Sequence, residues 1–266
     1  MLSLDHLGCI VRDLAAGAAR WERLGFTLSP VSRQRGAVPG AEGMQPWASA
    51  NRCAIFRRGY LELIGLVDPA AHNPWERFLA RFEGLHLLAL RCANADAAWA
   101  ALAARAPFLA PPVQRERMLE VDGAERTMRF RNIFSRDAAC PEGRYIVIEH
   151  QTPEYLWQPA LTEHENGAMG LTAATVAADD PGVAQRVAAL EGIPAVVSAA
   201  QFASRYGWRP PSPSFAAVTV SFADLDRAAR MMETRGVALH RAGGDLWIGP
   251  EATNGFVMHL TQHAPS

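Results

Sequence analysis

A strand followed by a capped helix begins four times in this chain, and that internal repetition limits the available folds more than any other feature. The first copy is "LSLDHLGCIVRDLAAGAARWERLGF". Leu2 to Val11 read as a half-buried strand. Asp13 then caps a helix whose apolar positions Leu14, Ala18, Trp21 and Leu24 follow a helical period, and Gly25 ends it. "NRCAIFRRGYLELIGL" adds two apolar runs hinged at Arg58-Gly59, a hairpin. The second copy, "GLHLLALRCANADAAWAALAARAP", follows and is closed by the alternating "TMRFRNIF" and "RYIVIEH". A third starts at "GAMGLTAATVAADDPGVAQRVAALEGI", with Asp180 as a cap before Pro181 at the first helical position. The fourth is "SFAAVTVSFADLDRAARMMETRGVAL", closed by "DLWIG" and "GFVMHL", and the third is short.

The repeats pair into two units. Residues 1–152 form the first, 153–166 a linker within "TPEYLWQPALTEHENGA", and 167–266 a shorter second unit. "YGWRPPSPS" joins the last two copies as a proline-rich segment, a linker in preference to a polyproline ligand. "SRQRGAVPGAEGMQPW", residues 32–47, reads as a mobile lid ending in Trp47.

Composition removes several function classes. At 266 residues and 49% hydrophobic the chain can bury a large core, so it is globular. A net charge of −1 with no run of one sign gives no electrostatic footprint for nucleic acid or an anionic membrane. All 26 basic residues are arginine, a bias with no functional weight. No signal-peptide order and no apolar run near the ~20 residues of a membrane span are present, so a cytoplasmic protein is expected. Cys9, Cys53, Cys92 and Cys140 are scattered without a C-x-x-C pair and read as reduced thiols. No phosphate-cradling glycine loop, G-x-S-x-G elbow or dinucleotide fingerprint occurs. The expected partner is a small molecule, and a homodimer is admitted.

Through "DHLGCIVRDL", "WERLGF", "GYLELIGLVDP", "EGLHLLALR", "IEHQTPEYLWQP" and "HENGA", the chain resembles the vicinal oxygen chelate superfamily, and within it the two-domain glyoxalase-like proteins. The resemblance implies an α+β fold of paired βαβββ modules curved around a cleft, with two tandem domains, the second shortened. It also implies a divalent metal ion (Zn, Ni, Mn, Fe or Co) held by the first and last strands of each module. Carried over by position, the ligands are His6, Glu62, His86 and Glu149. Such a cation would polarise two neighbouring oxygens of a small substrate, giving isomerase, lyase or, with iron, dioxygenase chemistry, and Glu62 or Glu149 would detach to act as the base.

The residues make a parallel case. Two histidines and two carboxylates inside apolar strands are costly to bury unpaired, and one divalent cation would satisfy all four. Alternation puts Glu62 on a face with Tyr60 and Ile64, and His86 with Leu88 and Leu90. Glu149 shares a face with Tyr145 and Val147, whereas His150 shares the other with Ile146 and Ile148, so only one of them reaches the cleft unless the strand bulges. The family pattern selects Glu149; finding His150 there instead would put the register off by one. Bland alternatives stay open: His6 as a hydrogen-bonded core residue, and Glu62 and Glu149 paired with arginines such as Arg58 or Arg131.

Arg117, Arg129 and Arg131 alternate near the second module's side of the cleft and are candidates to bind an anionic substrate. The first strands "LTAATV" and "FAAVTV" lack histidine, so no second metal site is expected. The rival functions are a metal-free binding protein of the drug-sequestering type, holding an apolar ligand against Trp47, Phe56 and Trp157, and a non-catalytic scaffold.

Overall fold

The computed structural model describes residues 1–121 and 123–264, so Asp122 and the last two residues of the 167–266 unit lie outside it. In chain order the first unit runs β1 (Ser3–Val11), α1 (Leu14–Arg23), β2 (Ser32–Gly36), β3 (Gln45–Ile55), β4 (Tyr60–Leu66), α2 (Glu76–Leu79), β5 (Gly84–Arg91), α3 (Ala95–Leu102), β6 (Val113–Val121), β7 (Ala124–Phe134) and β8 (Arg144–His150). Asp13 starts α1 by accepting from the Ala16 amide, and Asn94 starts α3 by accepting from the Ala97 amide. Gly25, at φ +87°, turns the chain out of α1.

These strands form one eight-stranded sheet in the order β2-β3-β4-β1-β5-β8-β7-β6. The two opening strands, β1 and β5, meet antiparallel at its centre, and each runs parallel to the closing strand of its own module, β4 or β8. The chain continues with β9 (Ala168–Ala177), α4 (Pro181–Ala189), β10 (Ala195–Val197), α5 (Ala199–Tyr206), β11 (Ser214–Phe222), α6 (Leu225–Thr234), β12 (Leu239–Ala242), β13 (Asp245–Ile248), α7 (Pro250–Thr253) and β14 (Val257–Gln262). They form a second sheet of six strands, β10-β9-β11-β14-β13-β12. The third copy is short because α5 stands where the first two modules place strands. Phe202 and Tyr206 of α5 pack with Trp208 and Trp247 and cover a face of the second sheet.

One core lies between the units. Leu7, Leu61, Leu88 and Val147 from the first sheet and Val176, Val218, Val220 and Leu260 from the second join it, with Trp21 of α1 and Met232 of α6. The sheets therefore share the backs that carry α1, α3, α4 and α6 and turn their opposite faces away from each other. Specific contacts pin the junction: the Trp21 indole donates to the Thr253 carbonyl at 3.0 Å, and Arg186 clamps the buried Glu142 through two 2.7 Å bonds. At Gly255, with φ +94°, an added Cβ would lie 2.1 Å from the Glu83 carbonyl oxygen, so only glycine fits this approach.

The segment 32–47 differs from the expected lid. Ser32–Gly36 is a strand paired with β3, and Trp47 sits over Gly36 and edge-on to Trp75. The half-buried Trp47 ring packs on Gly36 of β2, while residues 37–44 between the two strands are irregular and largely exposed. Among the described residues, no helix is long and apolar enough to cross a membrane.

Candidate active site

The concave face of the first sheet is the one opposite the shared core. Leu61 and Leu63 point to the core, so Tyr60, Glu62 and Ile64 point away from it, as alternation requires. At the centre, two β-bulges break the alternation. Leu4 and Leu7 both face the core with Asp5 and His6 between them, and Leu85 and Leu88 both do so with His86 and Leu87 between them. The β1/β5 register slips at these two places. Superposing the helix caps Asp13 and Asn94 pairs Asp5 with His86, and His6 with Leu87, across the internal repeat.

The first bulge builds a buried polar cluster. Asp5 is fully buried and accepts from His6 Nδ1 at 2.7 Å, from Arg91 Nε at 2.7 Å and from His150 Nε2 at 3.2 Å. Burial alone would raise its carboxyl, but hydrogen bonds from His150 and His6, together with their charge, hold it well below the usual carboxylate range. With Nδ1–H given to Asp5, His6 keeps Nε2 as its free lone pair, and its ring stacks on Tyr60 at 4.2 Å between centroids. Trp157 covers the cluster: it is edge-on to Tyr60 and His150, it lies under the Arg91 guanidinium, and its indole donates to the Phe56 carbonyl. The segment 153–161 thus caps one end of the concave face. Trp75, Phe78 and Leu79 fill the other end against Ile10, Ile64 and Leu87.

Between these ends stands Glu62. Its carboxylate is buried, and its partner is neutral, the side-chain amide of Asn51. Arg117 Nη1 in turn donates to Asn51 Oδ1 at 3.2 Å, although β3 and β6 are separated in the sheet by β4, β1, β5, β8 and β7. The sheet is therefore curled until its two sides meet, and Arg117 closes the cup over Glu62. Among the described residues, Arg117 has no acidic partner. Burial raises the Tyr60 hydroxyl and Cys53 thiol nearby, with Asp5 and Glu62 adding to it at Tyr60 and Glu62 at Cys53, so both stay protonated.

Of the four residues expected around a cation, His6 and Glu62 stand together on this face, His86 lies farther along it, and Glu149 is on the opposite face. The β1/β5 register sets His86 apart from His6. His6 is opposite Ala89, so His86 sits three residues along the strand, about 10 Å away. There it lies between Phe78 and Phe82 and donates Nε2–H to the Phe82 carbonyl. Glu149 does share a face with Tyr145 and Val147, but that face is the core side, where its carboxylate accepts from the Ala95 amide at the start of α3. His150 takes the concave side, which corrects the choice between these neighbours. The residues present therefore do not fit a His6, Glu62, His86 and Glu149 centre. Among the described residues, no group of three or more His, Cys, Asp or Glu side chains is arranged to hold a metal ion.

The expected substrate contacts also divide. Arg117 is on the concave face. Arg131 points to the helix side and forms a two-pronged pair with Asp96, and Arg129 pairs with Glu116 at 3.0 Å. Phe56 is fully buried in the shared core, and Trp47 belongs to the Trp75 end. His164 is structural: Thr27 N–H donates to its Nδ1 and its Nε2–H goes to the Ile55 carbonyl. Sequence reasoning missed Asp5, Asn51 and Arg91. The signal for Asp5 was present in the spacing of the two helix caps.

A family model described as Glyoxalase-like domain matches residues 4–191. Among solved structures, the chain is similar to a hypothetical protein from Staphylococcus aureus, with TM-score 0.59 and 10% identity over 99% of this chain and 100% of that one. It is also similar to a variant of 4-hydroxymandelate synthase from Streptomyces coelicolor, with TM-score 0.58 and 13% identity over 99% and 94%. A xylose isomerase-like TIM barrel/4-hydroxyphenylpyruvate dioxygenase fusion protein gives TM-score 0.53 and 13% identity over 99% of this chain and 49% of that one. At such identities the likeness speaks for the fold alone. No curated protein gives a sequence match.

Proposed function

Because the chain belongs to the glyoxalase-like domain family of the vicinal oxygen chelate superfamily, we propose that the concave face of its first sheet is an enzyme site for acid–base chemistry on a small oxygen-bearing substrate. The observation that carries this reading is Glu62, a buried carboxylate whose hydrogen-bond partner is an uncharged amide. A structural carboxylate in such a place is ordinarily neutralised by a contacting cation. A carboxylate kept for proton transfer needs to stay within reach of one without being tied to it, which is how Arg117 stands beyond Asn51.

In the step proposed, Glu62 takes a proton from carbon next to a carbonyl, and the electron pair moves onto the carbonyl oxygen. Arg117 leaves Asn51 to hydrogen-bond that oxyanion. With an α-hydroxy carbonyl substrate, Glu62 then returns the proton to the former carbonyl carbon while His6 Nε2 takes the α-hydroxyl proton and passes it to the oxyanion, an isomerisation; alternatively the carbonyl re-forms and a β leaving group departs with its bonding electron pair, Glu62 keeping the proton, a lyase reaction. His6, with Nδ1 held by Asp5, offers Nε2 for a second proton. No step is routed through a metal ion, because the expected donors are not gathered.

The test is proton exchange. A panel of α-hydroxy aldehydes, α-hydroxy ketones and 2-oxo acids is incubated with the protein in D₂O and followed by ¹H NMR. Loss of an α-proton signal with the parent protein and not with Glu62→Gln is expected; equal exchange by both would sink the reading. Near-stoichiometric Mn, Fe, Ni, Co or Zn in purified protein would also overturn it in favour of a metal centre. A second reading, ligand sequestration, is favoured by the aromatic wall of Tyr60 and Trp157; saturable binding of an aromatic compound with no exchange on any panel member would select it.

A further inference from the structure

We propose that the notch between α2 and the 3-10 turn Asp137–Ala139, at the α2 end of the concave sheet face and with no lining contribution from Glu62, binds a small multivalent oxyanion. The notch is a pocket of about 270 Å³ lined by Arg77, Phe78, Arg81, Asp137, Cys140 and Pro141. Its charges do not balance. Arg77 and Arg144 both pair with Asp137, at 2.7 and 2.6 Å. Arg81 donates to the Pro213 carbonyl at 2.8 Å and forms no ion pair among the described residues. The neighbouring carboxylates are occupied elsewhere, Glu142 by Arg186 and Glu83 by Arg12. Glu76 lies one position along α2, about 100° round the helix from Arg77, and does not line the pocket. Of Arg77 and Arg81 in the lining and Arg144 beside it, Arg77 and Arg144 thus share Asp137, and Arg81 is left without an ion pair among the described residues.

The surroundings register that excess. Burial pulls the Arg77 guanidinium below its ordinary value and Arg144 adds to this against Asp137, while Arg81 is lowered by burial, with Glu142 opposing that shift and Arg77 adding to it. His86, packed on Phe78 and Phe82 with Nδ1 unpartnered, is lowered first by burial and then by Arg81 and Arg77. The guanidiniums are also held in place. Arg77 lies over the Phe78 ring at 4.2 Å and Arg144 over the same ring at 5.6 Å. Planar donors fixed around a concavity with surplus positive charge match the two-pronged recognition of phosphate or carboxylate oxygens. A pocket of this volume admits a phosphate ester head or a tricarboxylate of citrate size.

The experiment is thermal melting of the full chain with inorganic phosphate, with citrate, and with sodium chloride at matched ionic strength. A saturable rise in Tm with phosphate or citrate, absent with chloride, is expected; phosphate alone points to a phosphate ester and citrate alone to a polycarboxylate. The variants Arg81→Gln and Arg77→Gln/Arg81→Gln are expected to melt near the parent without ligand, because both side chains reach solvent, and to bind about tenfold more weakly or worse. Equal rises with all three salts, or undiminished affinity in the double variant, would overturn the proposal.

Discussion

His150 Nε2 donates to Asp5 Oδ1 at 3.2 Å, joining the last residue of β8 to the bulge of β1 across 145 positions of sequence. The contact makes one carboxylate the hub of both modules, since His6 and Arg91 bind it as well. A fully buried carboxylate with three donors is stable only while all of them remain.

Asp5→Asn keeps the size of the side chain and removes its charge. It is expected to cost about 2–3 kcal/mol, read from the midpoint of urea unfolding, because two histidines and an arginine lose a charged acceptor. The pH dependence has a definite sign. A carboxyl held below its unfolded value stabilises the fold fully above about pH 4 and loses that contribution as pH falls toward the folded value. The parent should therefore lose stability steeply below about pH 4, and Asp5→Asn should lose less over the same interval. Parallel curves would contradict the role given to Asp5.

His86 titrates in the other window. Its imidazole is pulled down to about 4, first by burial and then by Arg81 and Arg77, against the opposing bond to the Phe82 carbonyl. The unfolded chain, with an ordinary histidine near 6.5, binds the extra proton first. Stability is thus full above about pH 6.5 and falls as pH drops toward about 4, by about 2–3 kcal/mol for this residue. His86→Leu should remove most of the decline between pH 7 and 5, leaving the part due to His164, which burial also lowers. Urea titrations at the two pH values check it.

The elements were legible because their signals are local. Asp13 and Asp180 accept from helical amides as caps should, and Arg58-Gly59 turns β3 into β4. The face on which Glu62 lies was legible as well, since β4 pairs with β1 and β3 without a register shift. The rest of the site was hidden by two tertiary facts. A bulge sends two adjacent residues to one side, so alternation counted from Leu88 and Leu90 gave His86 a face it does not have. For Glu149 and His150 the alternation was read correctly, but which face became the cleft was fixed by the second unit packing on the side of Tyr145, edge-on to Phe215. No residue within "RYIVIEH" carries that information.

Glu149 has a job that follows from its side of the sheet. It accepts from the Ala95 amide at 2.7 Å, where the first turn of α3 leaves amides without intrahelical partners. Glu149→Ala should cost about 1 kcal/mol, as loss of a helix cap does, and leave proton exchange at the concave face unchanged. A loss of exchange with unchanged stability would return Glu149 to the active site.

Glu62 and Arg117 are expected to fail in different ways, because one moves a proton and the other holds an oxygen. With any panel compound that the parent turns over, Glu62→Gln should lower kcat by about 10²–10⁴ with little change in KM, since the amide keeps the bond partner of Asn51 but accepts no proton. Arg117→Gln should raise KM and lower kcat/KM by about tenfold to a hundredfold, through loss of a charged hydrogen bond to the substrate oxygen. If Arg117 also closes the cup, the variant should expose β6, and amide exchange of Val113–Val121 should quicken relative to the parent while β1 and β5 stay protected. Identical exchange of β6 in both proteins, with KM unchanged, would remove Arg117 from both roles.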